Sequence, residues 1–114
     1  MPEYSDYIRC RRDERELVAN KQVAFGFNDA KGREIGYSVL IDRELWVADG
    51  ASYSLWKPGF VGRPIWVVMP SAMRDGTSYG ATPNAKVCLT EEEALEKADA
   101  MIAAYRKKMA KQFA

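Results

Sequence analysis

The C-terminal segment constrains the fold more than any other part of this sequence. Residues 89–114 read L-T-E-E-E-A-L-E-K-A-D-A-M-I-A-A-Y-R-K-K-M-A-K-Q-F-A. Thr90 with Glu93 three residues later forms a capping box, and the run of glutamates places negative charge where a helix dipole is positive. Apolar residues return at steps of three and four, at Leu95, Ala98, Ile102, Tyr105 and Met109. The pattern predicts a long helix over residues 91–113 whose apolar face packs on a second layer.

The segments before this helix have the alternation that is typical of strands. Residues 21–27, K-Q-V-A-F-G-F, alternate large and small side chains, and N-D-A-K-G-R then supplies a turn with Gly32 where a positive φ is expected. Residues 33–48 are too long for one flat strand. We therefore expect a break near Asp42 to Glu44 and a short third strand that starts at Leu45.

Two further strand signals precede the helix. P-I-W-V-V-M-P, residues 64–70, is a β-branched apolar run between two prolines, and Asp75 with Gly76 predicts a hairpin turn after it. K-V-C-L, residues 86–89, reads as a last short strand. Every connection is short, so the sheet is expected to be antiparallel throughout.

Residues 4–19, Y-S-D-Y-I-R-C-R-R-D-E-R-E-L-V-A, are predicted to form an N-terminal helix. Tyr7, Cys10, Leu17 and Val18 fall loosely on one side, and acidic and basic residues mix as on a solvated face. Four arginines stand against five acidic residues in residues 1–20, a net charge of −1. Binding to phosphates needs an unopposed excess of cations, so this segment is not expected to be a nucleic-acid arm.

Together these segments predict an α+β fold in a single domain over residues 1–114. It has an N-terminal helix, an antiparallel sheet of four to six short strands and a long C-terminal helix packed on the sheet. A chain of 114 residues that is 47% hydrophobic can bury a core of its own. The net charge of +1 does not indicate an electrostatic partner. The sequence shows neither a long apolar run nor a signal-like N-terminus, so we expect a cytoplasmic protein without membrane contact.

The residue types exclude several kinds of chemistry. The chain has no histidine, which removes the usual general base near neutral pH and the commonest metal ligand. Cys10 and Cys88 are expected to be reduced thiols, and their spacing is not that of a zinc motif. Four aspartates fall at predicted turns, where such side chains bond to backbone amides: Asp29, Asp42, Asp49 and Asp75. We therefore expect no enzyme activity, no catalytic residue, no metal and no cofactor.

Residues 64–105 resemble two known groups of proteins. The short strands, the hairpin R-D-G-T-S-Y-G-A at residues 74–81 and the helix opening L-T-E-E-E-A resemble the three-strands-then-helix units of AP2-type and integrase arm-type DNA-binding domains. They also look like small uncharacterised proteins encoded by phages and prophages. The second resemblance implies an accessory or regulatory protein that acts through a macromolecular partner, and neither resemblance assigns a role to a residue.

Residues 52–66, S-Y-S-L-W-K-P-G-F-V-G-R-P-I-W, are predicted to form an irregular loop that is rich in aromatic residues. Pro58-Gly59 suits the centre of a type II turn, which would bring Trp56 and Phe60 side by side. The aromatic side chains either fold down on the sheet or are held out for a partner. An irregular connection of this length is typical of functional loops. The second alternative gives the partner-binding residues Tyr53, Trp56, Lys57, Phe60 and Arg63.

The length of the C-terminal helix suggests a second contact surface. A helix over residues 91–113 is about 35 Å long, whereas a short strand spans only about 17–20 Å. The end of the helix is therefore expected to extend beyond the sheet, where Tyr105, Met109 and Phe113 continue its apolar line. Either the N-terminal helix covers this line, or another chain does so in a homodimer or a partner complex.

Two function classes follow from these surfaces. The favoured one is a small non-enzymatic protein-binding module whose loop and helix dock on a protein partner of unknown identity. The alternative is a nucleic-acid-binding domain that stacks bases on the loop aromatics. Its basic residues lie between positions 57 and 86, where four cations face one acid, Asp75: Lys57, Arg63, Arg74 and Lys86.

Overall fold

The computed structural model describes residues 6–79 and 85–114. Over these residues the chain forms a sheet of six strands and one α-helix. In chain order they are β1 (Ile8–Asn28), β2 (Glu34–Ala48), β3 (Ser54–Trp56), β4 (Pro64–Arg74), β5 (Thr77–Ser78), β6 (Lys86–Cys88) and α1 (Glu91–Phe113). The predicted α+β class, the antiparallel sheet and the long C-terminal helix are confirmed.

The three longest strands make up the centre of the sheet. The strand order is β3-β1-β2-β4-β5, and β6 also pairs with β4. All pairings are antiparallel. β1 and β2 form a hairpin that pairs from Cys10 opposite Ala48 to Asn28 opposite Glu34. The two short strands β5 and β6 take different parts of the remaining edge of β4.

The predicted N-terminal helix is wrong, because β1 begins at Ile8. The first two residues of that prediction, 4 and 5, lie outside the described residues. Residues 11–16 are six charged residues in a row, which leaves a helix no apolar stripe to pack. Helix propensities of ordinary residues differ by at most about 0.7 kcal/mol each. Pairing with β2 along the length of the strand outweighs such a preference.

The predicted break near Asp42 to Glu44 is also wrong, because β2 continues through it for 15 residues. The irregularities lie in β1 instead, where the register shifts between Arg12 and Glu14, between Leu17 and Ala19, and again between Ala24 and Asn28. Such bulges increase the local twist and let a long strand bend. β1 and β4 have 21 and 11 residues, so these strands are longer than the short strands that we predicted. The helix therefore does not outrun the sheet.

Local signals in the sequence placed two turns and the helix start correctly. Gly32 has a φ of 79° in the turn between β1 and β2. Asp75 and Gly76, with φ values of 52° and 77°, form a two-residue hairpin turn with positive φ at both positions. At the helix start, the Thr90 hydroxyl accepts a hydrogen bond from the backbone amide of Glu93 at 3.1 Å. The predicted N-cap at Thr90 is thus confirmed.

The core lies between α1 and one face of the sheet. Alternate residues of β2 face the helix and are buried: Ile35, Tyr37, Val39 and Ile41. Cys10 and Cys88 are buried and free, as expected, and burial raises the pKa of both thiols. In the part of the chain that the structure describes, no helix has both the length and the apolar character needed to cross a membrane.

Candidate functional site

The predicted irregular loop, residues 52–66, contains β3 and the first residues of β4, so only its middle part is irregular. The loop residues that we predicted to bind a partner lie in β3 or close to it. A single 3-10 turn spans Pro58–Phe60, and the amide of Phe60 donates to the carbonyl of Lys57 at 2.9 Å. Gly59 lacks the positive φ that a type II turn requires, so the predicted turn type is wrong. The chain nevertheless reverses at this point.

The reversal brings the aromatic side chains together. The Trp56 ring lies 5.9 Å from Phe60 and 5.7 Å from Trp46, both edge to face, so the predicted contact of Trp56 with Phe60 is confirmed. Trp56 and Phe60 are half-buried. Tyr53 is 94% exposed, and the nearby Lys57 and Arg63 are exposed as well. The loop therefore combines packed aromatic residues with an exposed tyrosine and two exposed cations.

Beside this cluster lie two buried carboxylates that sequence reasoning missed. Asp42 and Glu44 are 1% and 6% exposed, and alternation along β2 places them on the face away from the helix. Arg15 Nε donates to Asp42 Oδ2 at 2.7 Å, and Trp46 Nε1 donates to Glu44 Oε1 at 2.8 Å. The prediction that Asp42 lies at a turn is wrong. The period-two run I-D-R-E-L-W was the signal that could have placed it within a strand.

These carboxylates account for part of the N-terminal arginine cluster. Arg15 is bound to Asp42, and Arg12 Nη1 lies 3.8 Å from Glu44 Oε2. Arg11 pairs with Asp13 at 3.0 Å and with Asp49 at 3.6 Å. Three of the four arginines therefore have carboxylate partners within the fold, which leaves less positive charge for an external phosphate.

The three helix residues that we predicted to bind a partner lie over the core. The Tyr105 ring stacks on Tyr37 with centroids 4.4 Å apart, Met109 is 5% exposed, and Phe113 is half-buried against the core. Tyr37 and Trp46 are nine residues apart on β2, about 30 Å at 3.3 Å per residue. The structure therefore does not bring these residues together with the loop. A homodimer through the helix stays a prediction. The difference in length between helix and sheet, from which it was derived, is absent.

The outer edge of β1 is the surface that the fold leaves without a partner strand. β3 pairs only with Ile8–Cys10, and within the described residues no other strand pairs with this edge. Near the loop, this edge carries the charged residues 11–16 and the first two of the three bulges. Charges and bulges of this kind prevent unwanted pairing of edge strands.

One stretch of this edge, Ala19–Ala24, has neither a run of charges nor a bulge, and we call it the open segment. It pairs with β2 in regular register, from Ala19 opposite Ile41 to Ala24 opposite Gly36. Its one charged residue is Lys21, whose Nζ donates to Asp99 of α1 at 2.6 Å. The open segment therefore offers a row of outward backbone N–H and C=O groups with little charge to repel a strand.

The helix forms a wall beside the open segment. Asp99 contacts Lys21, and the guanidinium carbon of Arg106 lies 5.7 Å above the ring of Phe25, which follows the open segment. Ile102 lies between these residues along the helix and is half-buried against the core. This site was not predicted from the sequence, because residues 4–19 were assigned to a helix. Whether a strand lies at the edge of a sheet depends on which strands pair with it.

Comparison of the chain with family models, with curated proteins and with solved structures gives no match. Among residues 6–79 and 85–114, no three His, Cys, Asp or Glu side chains are grouped so that they could hold a metal ion. The open segment and its helix wall are therefore proposed as a site on their geometry alone.

Proposed function

We propose that the protein is a small non-enzymatic protein-binding module that takes up an extended segment of its partner as an added strand along the open segment. The supporting observation is a regular edge of six residues without a partner strand among the described residues. Six residues is close to the usual length of a strand. In strand addition, main-chain hydrogen bonds supply affinity, and alternate side chains supply specificity.

The surroundings of the open segment define the chemistry of the partner. Side chains of the added strand that point toward the helix would meet Val23 and Ile102, both half-buried and apolar. Arg106 is exposed and makes no ion pair within the described residues. An acidic side chain on the partner would pair with it. We therefore propose a segment that alternates apolar residues and places an acidic residue beside Arg106.

The resemblance of residues 64–105 to small phage and prophage proteins supports an accessory or regulatory role for such a module. Those proteins resemble this chain in their short strands and helix opening, and the resemblance implies action through a macromolecular partner. The partner in this proposal is a protein.

Selection from a display library of short linear peptides tests the proposal. We expect the selected peptides to alternate apolar residues with one acidic position, and bound peptide to slow hydrogen exchange at amides within Ala19–Ala24. Arg106→Glu should weaken binding of these peptides about tenfold or more. Lys107→Glu, an equal charge change on the neighbouring residue, should not. Peptides that leave exchange in the open segment unchanged would contradict the proposal.

The nucleic-acid alternative rests on a different observation. Lys57 and Arg63 are exposed beside Trp56 and Phe60, and neither cation has an ion pair within the described part of the chain. Phosphate contacts weaken steeply with salt, so elution from a single-stranded DNA column separates the two functions. The protein-binding proposal predicts elution at low salt. Retention that is lost in Lys57→Glu/Arg63→Glu would favour the nucleic-acid alternative.

A further inference from the structure

A cleft of about 370 Å³ opens at the other end of the molecule, where the turn between β1 and β2 meets the end of α1. The residues that line it include Asp29, Lys31, Arg33, Arg74, Tyr79 and Lys108. Ligand pockets of about 300–1,000 Å³ hold small molecules. This cleft is separate from the open segment and from the aromatic loop.

Two guanidinium groups share one carboxylate at the base of the cleft. Arg33 Nη2 and Arg74 Nε lie 2.9 and 3.3 Å from Asp29 Oδ2. The side chains of Asp29 and Arg74 are 6% and 10% exposed. Burial raises the pKa of Asp29, but hydrogen bonds from Arg33 and Lys31 outweigh it and hold the pKa below its usual range. The base therefore carries two positive charges against one negative charge.

The other contacts of Arg74 do not neutralise this excess charge. Its Nη1 donates to the carbonyl of Met73 at 2.8 Å and to the Tyr105 hydroxyl at 3.1 Å, and its Nη2 contacts the Met109 sulfur at 3.8 Å. These acceptors are neutral. One carboxylate offsets only one of the two guanidinium charges, which makes the base a favourable place for an anion.

The aromatic ring of Tyr79 contacts both guanidinium groups. The guanidinium carbons of Arg33 and Arg74 lie 4.8 and 4.9 Å from the centroid of the Tyr79 ring. Tyr79 is 47% exposed and the Arg33 side chain is 31% exposed, so the ring and this cation can be reached from solvent. The arrangement offers cations beside an apolar surface.

Two exposed lysines add to the positive charge of the lining. Lys31 lies in the turn and Lys108 on the helix, and neither makes an ion pair among the described residues. The lining thus has four cationic side chains against one carboxylate, a net charge of +3. A concave surface lined by one sign of charge concentrates the opposite ion.

We infer that this cleft binds a phosphate monoester, with the phosphoryl group between Lys31, Arg33 and Lys108 and an apolar body against Tyr79 and Phe113. Arginine and lysine are the usual cationic partners of phosphate, and a dianion offsets more of the net charge than a carboxylate does. The volume of the cleft leaves room for a body attached to the phosphoryl group. Free inorganic phosphate shares the same oxyanion chemistry, so the probes must separate the two sources.

Titration at low ionic strength with phenyl phosphate and with inorganic phosphate tests the inference, read by amide shifts in NMR. We expect saturable binding of both, with shifts at residues 29–33 and 108–113, and tighter binding of phenyl phosphate. Equal affinities would assign the cleft to free phosphate and overturn the role of the apolar body. An absence of saturable binding at these residues would overturn the site itself.

A pair of charge-reversal variants separates a specific site from a general effect of net charge. Lys31→Glu/Lys108→Glu changes only exposed residues and should weaken phenyl phosphate binding at least tenfold. Lys97→Glu/Lys107→Glu makes the same change in net charge at exposed residues that do not line the cleft and should leave the affinity within about twofold. Equal weakening by both variants would overturn the inference. Circular dichroism of both variants verifies that each is folded.

Discussion

Replacement of Gly36 by alanine tests the pairing of β1 with β2, the feature on which the open segment depends. Gly36 is buried in β2 opposite Ala24. A Cβ atom at this position would lie 2.8 Å from the carbonyl oxygen of Val23 and 3.6 Å from the Cα of Ala24. Both obstacles are backbone atoms of β1, so no side chain can rotate away to make room.

The expected cost follows from this contact. Excess volume in a packed interior destabilises by about 1–3 kcal/mol, because the neighbouring backbone must shift. Without such an obstacle, alanine in a strand is more stable than glycine by roughly 0.5–1 kcal/mol. If residues 8–28 were not paired with β2, the Val23 carbonyl would be absent and Gly36→Ala would stabilise the protein. The sign of the change therefore distinguishes the two architectures.

Urea unfolding followed by tryptophan fluorescence measures this change. Gly59→Ala is the matched control, because a Cβ there would meet no atom within 4 Å and the residue has no positive φ. The control should be neutral or stabilising by up to about 1 kcal/mol. A Gly36→Ala variant as stable as the unmodified protein would refute the pairing, and with it the assignment of the open segment.

Three further predictions concern the cap, the loop and the thiols. Thr90→Ala should lower the unfolding free energy by about 1 kcal/mol while Thr90→Ser retains it, as measured by thermal melting, because the hydroxyl caps the helix. Trp56→Ala should cost roughly half of the about 3–5 kcal/mol typical of a fully buried aromatic residue, and Tyr53→Ala less than about 0.5 kcal/mol. The raised pKa values of Cys10 and Cys88 favour the protonated thiols in the fold. The unfolding free energy should therefore fall as pH rises above about 8.5, and less so in Cys10→Ala/Cys88→Ala.

The features that could be predicted from sequence are those set by neighbouring residues. The cap at Thr90 depends on Glu93 three positions away, and the turn at Asp75-Gly76 depends on two residues that both take positive φ. The apolar stripe of α1 is likewise local, because its members are three or four positions apart. Such signals place elements correctly without knowledge of their partners.

The strand β1 could not be predicted in this way, because distant residues stabilise it. Arg15 is bound by Asp42, 27 positions along the chain, and two of the bulges displace the alternation at Asp13 and Val18. A charged segment whose apolar residues follow no regular period then has the sequence pattern of a helix exposed to solvent. The cleft has the same character, since Arg33 and Arg74 meet only when β2 pairs with β4.

Both proposed sites lie where β1 and β2 continue beyond the elements that pair with them or pack on them. β3 pairs with only three residues of β1, which leaves the open segment without a partner strand among the described residues. The turn at residues 29–33 lies beside the end of α1, and the cleft opens between them. The helix borders both sites, but Arg106 lies beside Phe25 and Lys108 lines the cleft. Among the described residues, no residue of the open segment or of its helix wall lines the cleft. The geometry therefore allows a peptide on the edge and an anion in the cleft to be bound at the same time.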